Sequence, residues 1–75
     1  MPEAVMSMAR DFRGVESTVL QTVALGGAVH GSRLVASAAM FELRRRGALD
    51  LVGEVIKHVA NESDKAFYSE YLCHL

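Results

Sequence analysis

Residues 24–36 are Ala24-Leu25-Gly26-Gly27-Ala28-Val29-His30-Gly31-Ser32-Arg33-Leu34-Val35-Ala36, a stretch that forms either one continuous helix or the junction between two. Ala24, Ala28, Ser32 and Ala36 recur at every fourth position, with Gly27 and Gly31 beside them at the same spacing. On an α-helix, i and i+4 share a face, so the row draws a flat strip almost free of side chains, against which another backbone can lie closely. The glycines argue the other way, because each costs roughly 1 kcal/mol relative to alanine inside a helix. Three of them, Gly26, Gly27 and Gly31, predict a turn or kink within Gly26–Gly31, with one helix before it and another after it.

The flanking segments are helical in pattern. Before the small-residue row, a helix is expected from near Glu16, with Val15, Val19, Val23 and Leu20 as its apolar face. Thr18 and Gln21 are spaced as a capping box at its start. After the row, Ser32 to Arg46 reads as a helix with Leu34, Val35, Ala38, Ala39, Phe41 and Leu43 as a broad apolar surface and Glu42 on a polar edge. Arg44, Arg45 and Arg46 fall in its last turn, where cations complement the carbonyl end, and Gly47 is placed to be the left-handed residue that ends it. Leu49 to Ala60 carries Leu49, Val52, Val55, Ile56 and Val59 at i, i+3, i+4 spacing. Asn61 or Ser63 restarts the chain into a last helix, with Phe67, Tyr68, Tyr71, Leu72 and Leu75. At the other end, Pro2 and Glu3 suit a first helical turn, and Val5, Met8 and Phe12 share a face up to about Arg13. Strand alternation and hairpin dipeptides are weak throughout. The expected fold is therefore all-α, one domain over residues 1–75, built as a compact bundle of four or five short helices.

Length and composition bound what such a bundle can do. Seventy-five residues bury little more than ~60% of the surface their unfolded chain exposes. Small domains commonly add disulfides, metals or self-association. Cys73 is the only cysteine, so an intrachain disulfide is out, and a lone thiol fits a reducing compartment. Hydrophobic residues make up 51% of the chain, which leaves self-association as the natural route. A homodimer or higher oligomer is expected, with Ala24, Ala28, Ser32 and Ala36 as its contact strip. The formal net charge is -1, so no global field favours nucleic acid or an anionic membrane. Val19–Ala28 is apolar but about half the ~20 residues that a membrane span needs. Glu3, Arg10, Asp11 and Arg13 interrupt any leader-like apolar run. The expectation is a cytoplasmic protein without membrane contact.

No residue set rises to a catalytic, cofactor or metal site. Asp50, Glu54 and His58 line one helix face at i, i+4, i+8, yet zinc needs three or four ligands and a supporting shell. Glu70, Cys73 and His74 fall on one turn, but neighbouring Cys and His point to different sides of a helix. His30 sits among glycines that match no phosphate-cradling frame. Arg44-Arg45-Arg46 is the single basic cluster; three cations are few for nucleic-acid binding, which gains strength from many phosphate contacts. A helix-turn-helix across Thr18–Phe41 would offer only Ser32, Arg33 and Ser37 to bases. Tyr68 and Tyr71 combine a large apolar body with a polar tip, as partner-facing residues do.

Leu43-Arg44-Arg45-Arg46-Gly47-Ala48-Leu49-Asp50, then Val55-Ile56, Ser63-Asp64 and Phe67-Tyr68-Ser69, resemble the Hha/YmoA family of nucleoid-protein modulators over less than half of the chain. Those are small helical proteins that bind a DNA-associated oligomer, and the resemblance implies partner contact through Asp50 and the arginines. The expected function is a non-enzymatic, self-associating protein-interaction module: a regulator, inhibitor or adaptor that occupies a surface of another protein through Arg44, Arg45, Arg46, Tyr68 and Tyr71. The alternative is a DNA-associated or nucleoid-modulating regulator using Arg33 and Arg44–Arg46.

Overall fold

The computed structural model describes residues 3–73, with side chains for residues 3–72. Met1, Pro2, His74 and Leu75 and the Cys73 side chain lie outside that range, and with them the expected roles of Pro2, Leu75 and the Glu70–Cys73–His74 cluster. Among the described residues the chain forms five helices and no strand: α1 (Glu3–Asp11), α2 (Ser17–His30), α3 (Arg33–Arg45), α4 (Leu49–Lys57) and α5 (Glu62–Cys73). None of them is long and apolar enough to cross a membrane.

The glycine stretch resolves into a turn at its last member. α2 runs through Gly26 and Gly27 and ends at Gly31, whose φ of 93° is the left-handed conformation that glycine adopts without steric cost. The Ser32 amide donates back to the Gly27 carbonyl at 2.8 Å. Ser32 then caps α3, its side chain accepting from the Val35 amide at 3.4 Å. The four-residue row of small side chains is thus divided between two helices that pack against each other.

α3 is the hub and packs against each of the other four helices. Its alanines make this possible. Ala36, Ala38 and Ala39 are fully buried, so neighbouring helices approach from several sides of one rod. The closest approach is at Gly27: a Cβ built there would lie 2.8 Å from the Ala36 amide nitrogen and 3.0 Å from the Ser32 carbonyl oxygen. Those two atoms form the first hydrogen bond of α3, 3.0 Å long, so Gly27 is seated on the opening turn of the next helix.

This contact rotates α2 away from the expected orientation. Leu20, Ala24 and Gly27 face the core, whereas Val19 is 49% exposed. The small residues set the packing face because they let the two backbones approach, and the larger Val19 is left outside. The expected capping box at Thr18 is not formed either. α2 starts at Ser17, two residues earlier than a Thr18 cap would place it, after Glu16 without a side-chain cap, and the Leu20 amide donates to the Glu16 carbonyl.

The main core joins Leu20, Ala24, Met40, Leu43, Val52, Val55 and Tyr68 with their neighbours. α4 keeps its expected stripe of Val52, Val55 and Ile56, with Val59 buried just past its end; it stops at Lys57, three residues short of the expected Ala60. α3 ends as expected at Gly47 (φ 80°), where the Ala48 amide returns to Leu43 and the Gly47 amide to Arg44. Asn61 opens α5 by accepting from the Asp64 amide at 3.1 Å. A smaller cluster of Val5, Ala9 and Ala38 attaches α1 to α3.

Candidate functional site

The three consecutive arginines have three different environments. Arg46 is internal bracing: it donates from Nε to Glu42 Oε2 at 2.7 Å, from Nη2 to the carbonyls of Phe12 at 2.9 Å and Arg13 at 3.0 Å, and from Nη1 to Ser17 Oγ at 3.2 Å. One side chain at the end of α3 therefore fixes the link between α1 and α2. Arg45 grips Glu42 with both Nε and Nη2, at 2.8 and 2.7 Å, but remains half exposed. Arg44 stacks over Phe41 and Tyr71, with its guanidinium carbon 5.5 and 5.6 Å from the ring centroids.

Glu42 is the acid that organises this end. It is 1% exposed, not on the polar edge expected for it. Its position three and four residues before two arginines explains the difference, since both guanidiniums reach back along the helix to cover it. The hydrogen bond from Arg45 holds the Glu42 carboxyl down at about 2; burial opposes this and the bond from Arg46 assists.

Arg33 sits at the other end of α3, about 16 Å from Arg44 by helical rise. It pairs with Asp64 and lies over the Phe67 ring, 4.9 Å from the centroid. Tyr68 and Tyr71, read from the sequence as partner-facing, are 1% and 5% exposed and belong to the core. Burial pushes the Tyr68 hydroxyl up from its usual range. Phe67 takes the outer position instead, edge-on to Tyr68 at 5.3 Å. The reason is the α5 register: one turn of the helix turns Tyr68 and Tyr71 inward together, with Phe67 at the rim.

The strip read as a self-association surface is divided in the same way. Ala24 and Ala36 are fully buried within the monomer, Ala28 is half-buried against the core, and Ser32 is the exposed cap of α3. Ala24 and Ala36 are therefore occupied by the chain's own packing.

The opposite side of α2 is open. Val19, Thr22, Gly26 and Val29 follow one another at three- and four-residue steps and share a face turned from Leu20 and Ala24. Val29 is 54% exposed, and a Cβ at Gly26 would meet nothing within 4 Å. Beside this face, a groove of about 390 Å³ is lined by Thr22, Leu25, Gly26, Val29, His30 and His58. Sequence reasoning missed this face, although a signal was present: from Ser17 through Val29, α2 contains no Asp, Glu, Lys or Arg. A second cleft, of about 180 Å³, lies between α1 and α3.

The acid–histidine series on α4 does not form a ligand set. Glu54 pairs with Lys57 at 3.1 Å, and His58 Nδ1 lies 2.9 Å from the Glu54 carbonyl oxygen, not from its carboxylate. No group of three or more His, Cys, Asp or Glu able to hold a metal occurs among the described residues. Comparison with protein-family models, curated proteins and solved structures returns no match, so the Hha/YmoA resemblance gains no support there.

Proposed function

We propose that this chain is a non-enzymatic protein-interaction module that self-associates through the open face of α2 and regulates another protein by occupying its surface. The observation that carries the reading is the uncharged α2 helix. A helix on the outside of a soluble bundle ordinarily has a polar outer face. Here the outer face consists of Val19, Thr22, Gly26 and Val29, and two of these are large exposed apolar residues. A small chain gains most from covering such a face with a second copy.

The face is also self-complementary. Antiparallel pairing of two copies sets Val19 against the partner copy's Val29, and Thr22 against the partner copy's Gly26. Each large residue meets a large one and each small residue a small one, the arrangement that a two-fold interface requires. Antiparallel helix dipoles favour the same orientation. The alternative, a DNA-associated regulator using Arg33 and Arg44–Arg46, has less support: Arg46 is committed to the α1–α2 link and Arg33 to Asp64 and Phe67.

Charge exchange tests the proposed pairing. Val19→Glu and Val29→Lys singly should each weaken assembly, and the double variant should restore it, because each Glu then faces a Lys across the interface. If the double variant is as weakly associated as either single one, the pairing is wrong. If neither single variant affects assembly, α2 is not the interface.

A further inference from the structure

The cleft between α1 and α3 combines an apolar floor with a cationic rim. Met6, Ala9 and Phe41 supply the floor. Arg10, Arg13 and Arg45 surround it. Arg10 and Arg13 are exposed and form no ion pair or side-chain hydrogen bond among the described residues. Arg45 uses Nε and Nη2 on Glu42 and keeps Nη1 uncommitted. Glu42 also borders the cleft, but its two oxygens already accept three N–H bonds from Arg45 and Arg46, and those two cations outweigh its charge. Glu3, Asp11 and Glu16 also belong to this end, but the lining of the cleft holds three arginines, Arg10, Arg13 and Arg45, against the single carboxylate of Glu42. The lining itself is therefore positive around one small apolar hollow.

We infer that this cleft docks an acidic peptide segment, one apolar anchor residue entering between Met6 and Phe41 while flanking Asp or Glu carboxylates engage Arg10, Arg13 and Arg45. Charge complementarity selects the occupant. Guanidinium forks match carboxylates, and an aromatic–thioether floor takes an aliphatic or aromatic side chain. A nucleic-acid backbone would use the rim but not the floor. The inference rests on the protein-interaction reading above but uses a different face from self-association, so the two can fail separately.

Panning a library of short random peptides on the intact chain tests it. Enriched peptides should pair Asp or Glu with a neighbouring Leu, Ile or Phe. Their binding should weaken with salt and shift the amide resonances of Met6, Ala9, Arg10 and Phe41. The Arg10→Gln/Arg13→Gln variant, altered only at exposed side chains, should keep the wild-type circular dichroism and lose about tenfold in affinity. Basic or uncharged consensus peptides, or acidic peptides unaffected by the double variant, would overturn the inference. Peptides that shift Thr22, Leu25 and His58 would overturn it too, while leaving the interaction-module reading standing on the α2 side. Recovery of no binding peptide would overturn the docking site and leave the α2 reading to the measurement of mass in solution. Duplex DNA bound more tightly than any recovered peptide, with that binding lost in Arg10→Gln/Arg13→Gln, would replace the acidic peptide by nucleic acid.

Discussion

Glu42 holds Arg46 at 2.7 Å one helical turn along α3, and through Arg46 it holds the carbonyls of Phe12 and Arg13. The buried acid therefore governs how α1 is joined to the bundle. The rest of the anchoring is apolar: Val5 and Ala9, with Met8 and Phe12 beside them, pack against Ala38 and Phe41 of α3. Removing Arg46 would leave Glu42 to Arg45 alone and free two carbonyls of the α1–α2 link. Arg46→Ala should cost about 2 kcal/mol in denaturant unfolding, less than an ion pair broken with no second partner, because Arg45 still covers the carboxylate. Amide exchange should accelerate in α1 more than in α4. Equal acceleration in both helices would mean that Arg46 does not fasten α1 in particular.

The same acid sets a pH dependence. Glu42 titrates at about 2 in the folded chain against an ordinary 4.5. A depressed folded pKa contributes stability that is complete above the unfolded value and is lost as pH falls through the folded one. Between those values the loss should approach about 3 kcal/mol. Unfolding measured across that window should show a steep acid limb in the wild type and a flatter one in Glu42→Gln. Parallel limbs would show that other acids carry the effect.

Adjacent glycines in α2 should respond in opposite directions. Gly26 has open space where a Cβ would go, so Gly26→Ala gains helix propensity and should stabilise the monomer by up to about 1 kcal/mol. Gly27→Ala drives a methyl into the Ser32–Ala36 hydrogen bond and should destabilise by about 1–3 kcal/mol. Thermal unfolding of the two variants checks the pair. Stabilisation by both would remove the close α2–α3 approach.

Much of this bundle is legible in the sequence, and its misreadings share a cause. The Ser32–Arg46 helix, its glycine stop at Gly47, the Val52–Val55–Ile56 stripe and a break within Gly26–Gly31 follow from periodicity and cap chemistry, which are local. The orientation of α2 is not local. It depends on which of two small-residue edges meets α3, and the Gly27–Ala36 approach decides it. Glu42 reads as a surface acid until Arg45 and Arg46 are seen folding back over it. Tyr68 and Tyr71 read as interface residues until the α5 register turns them inward. Of the residues lining the α1–α3 cleft, Arg45, in the Arg44–Arg46 run, is the one that the sequence also offers for partner contact. Arg10 and Arg13 stand far from that run and join it only because α1 lies along α3.

If α2 is built for a second copy of the chain, the mass in solution reports it. Size exclusion with light scattering at micromolar concentration should give twice the 8.2 kDa of the chain. Gly26→Leu, whose Cβ meets nothing within 4 Å in the monomer, should return the mass to a single copy with the wild-type circular dichroism. A monodisperse monomer for the wild type, or a dimer that Gly26→Leu leaves intact, would contradict the account.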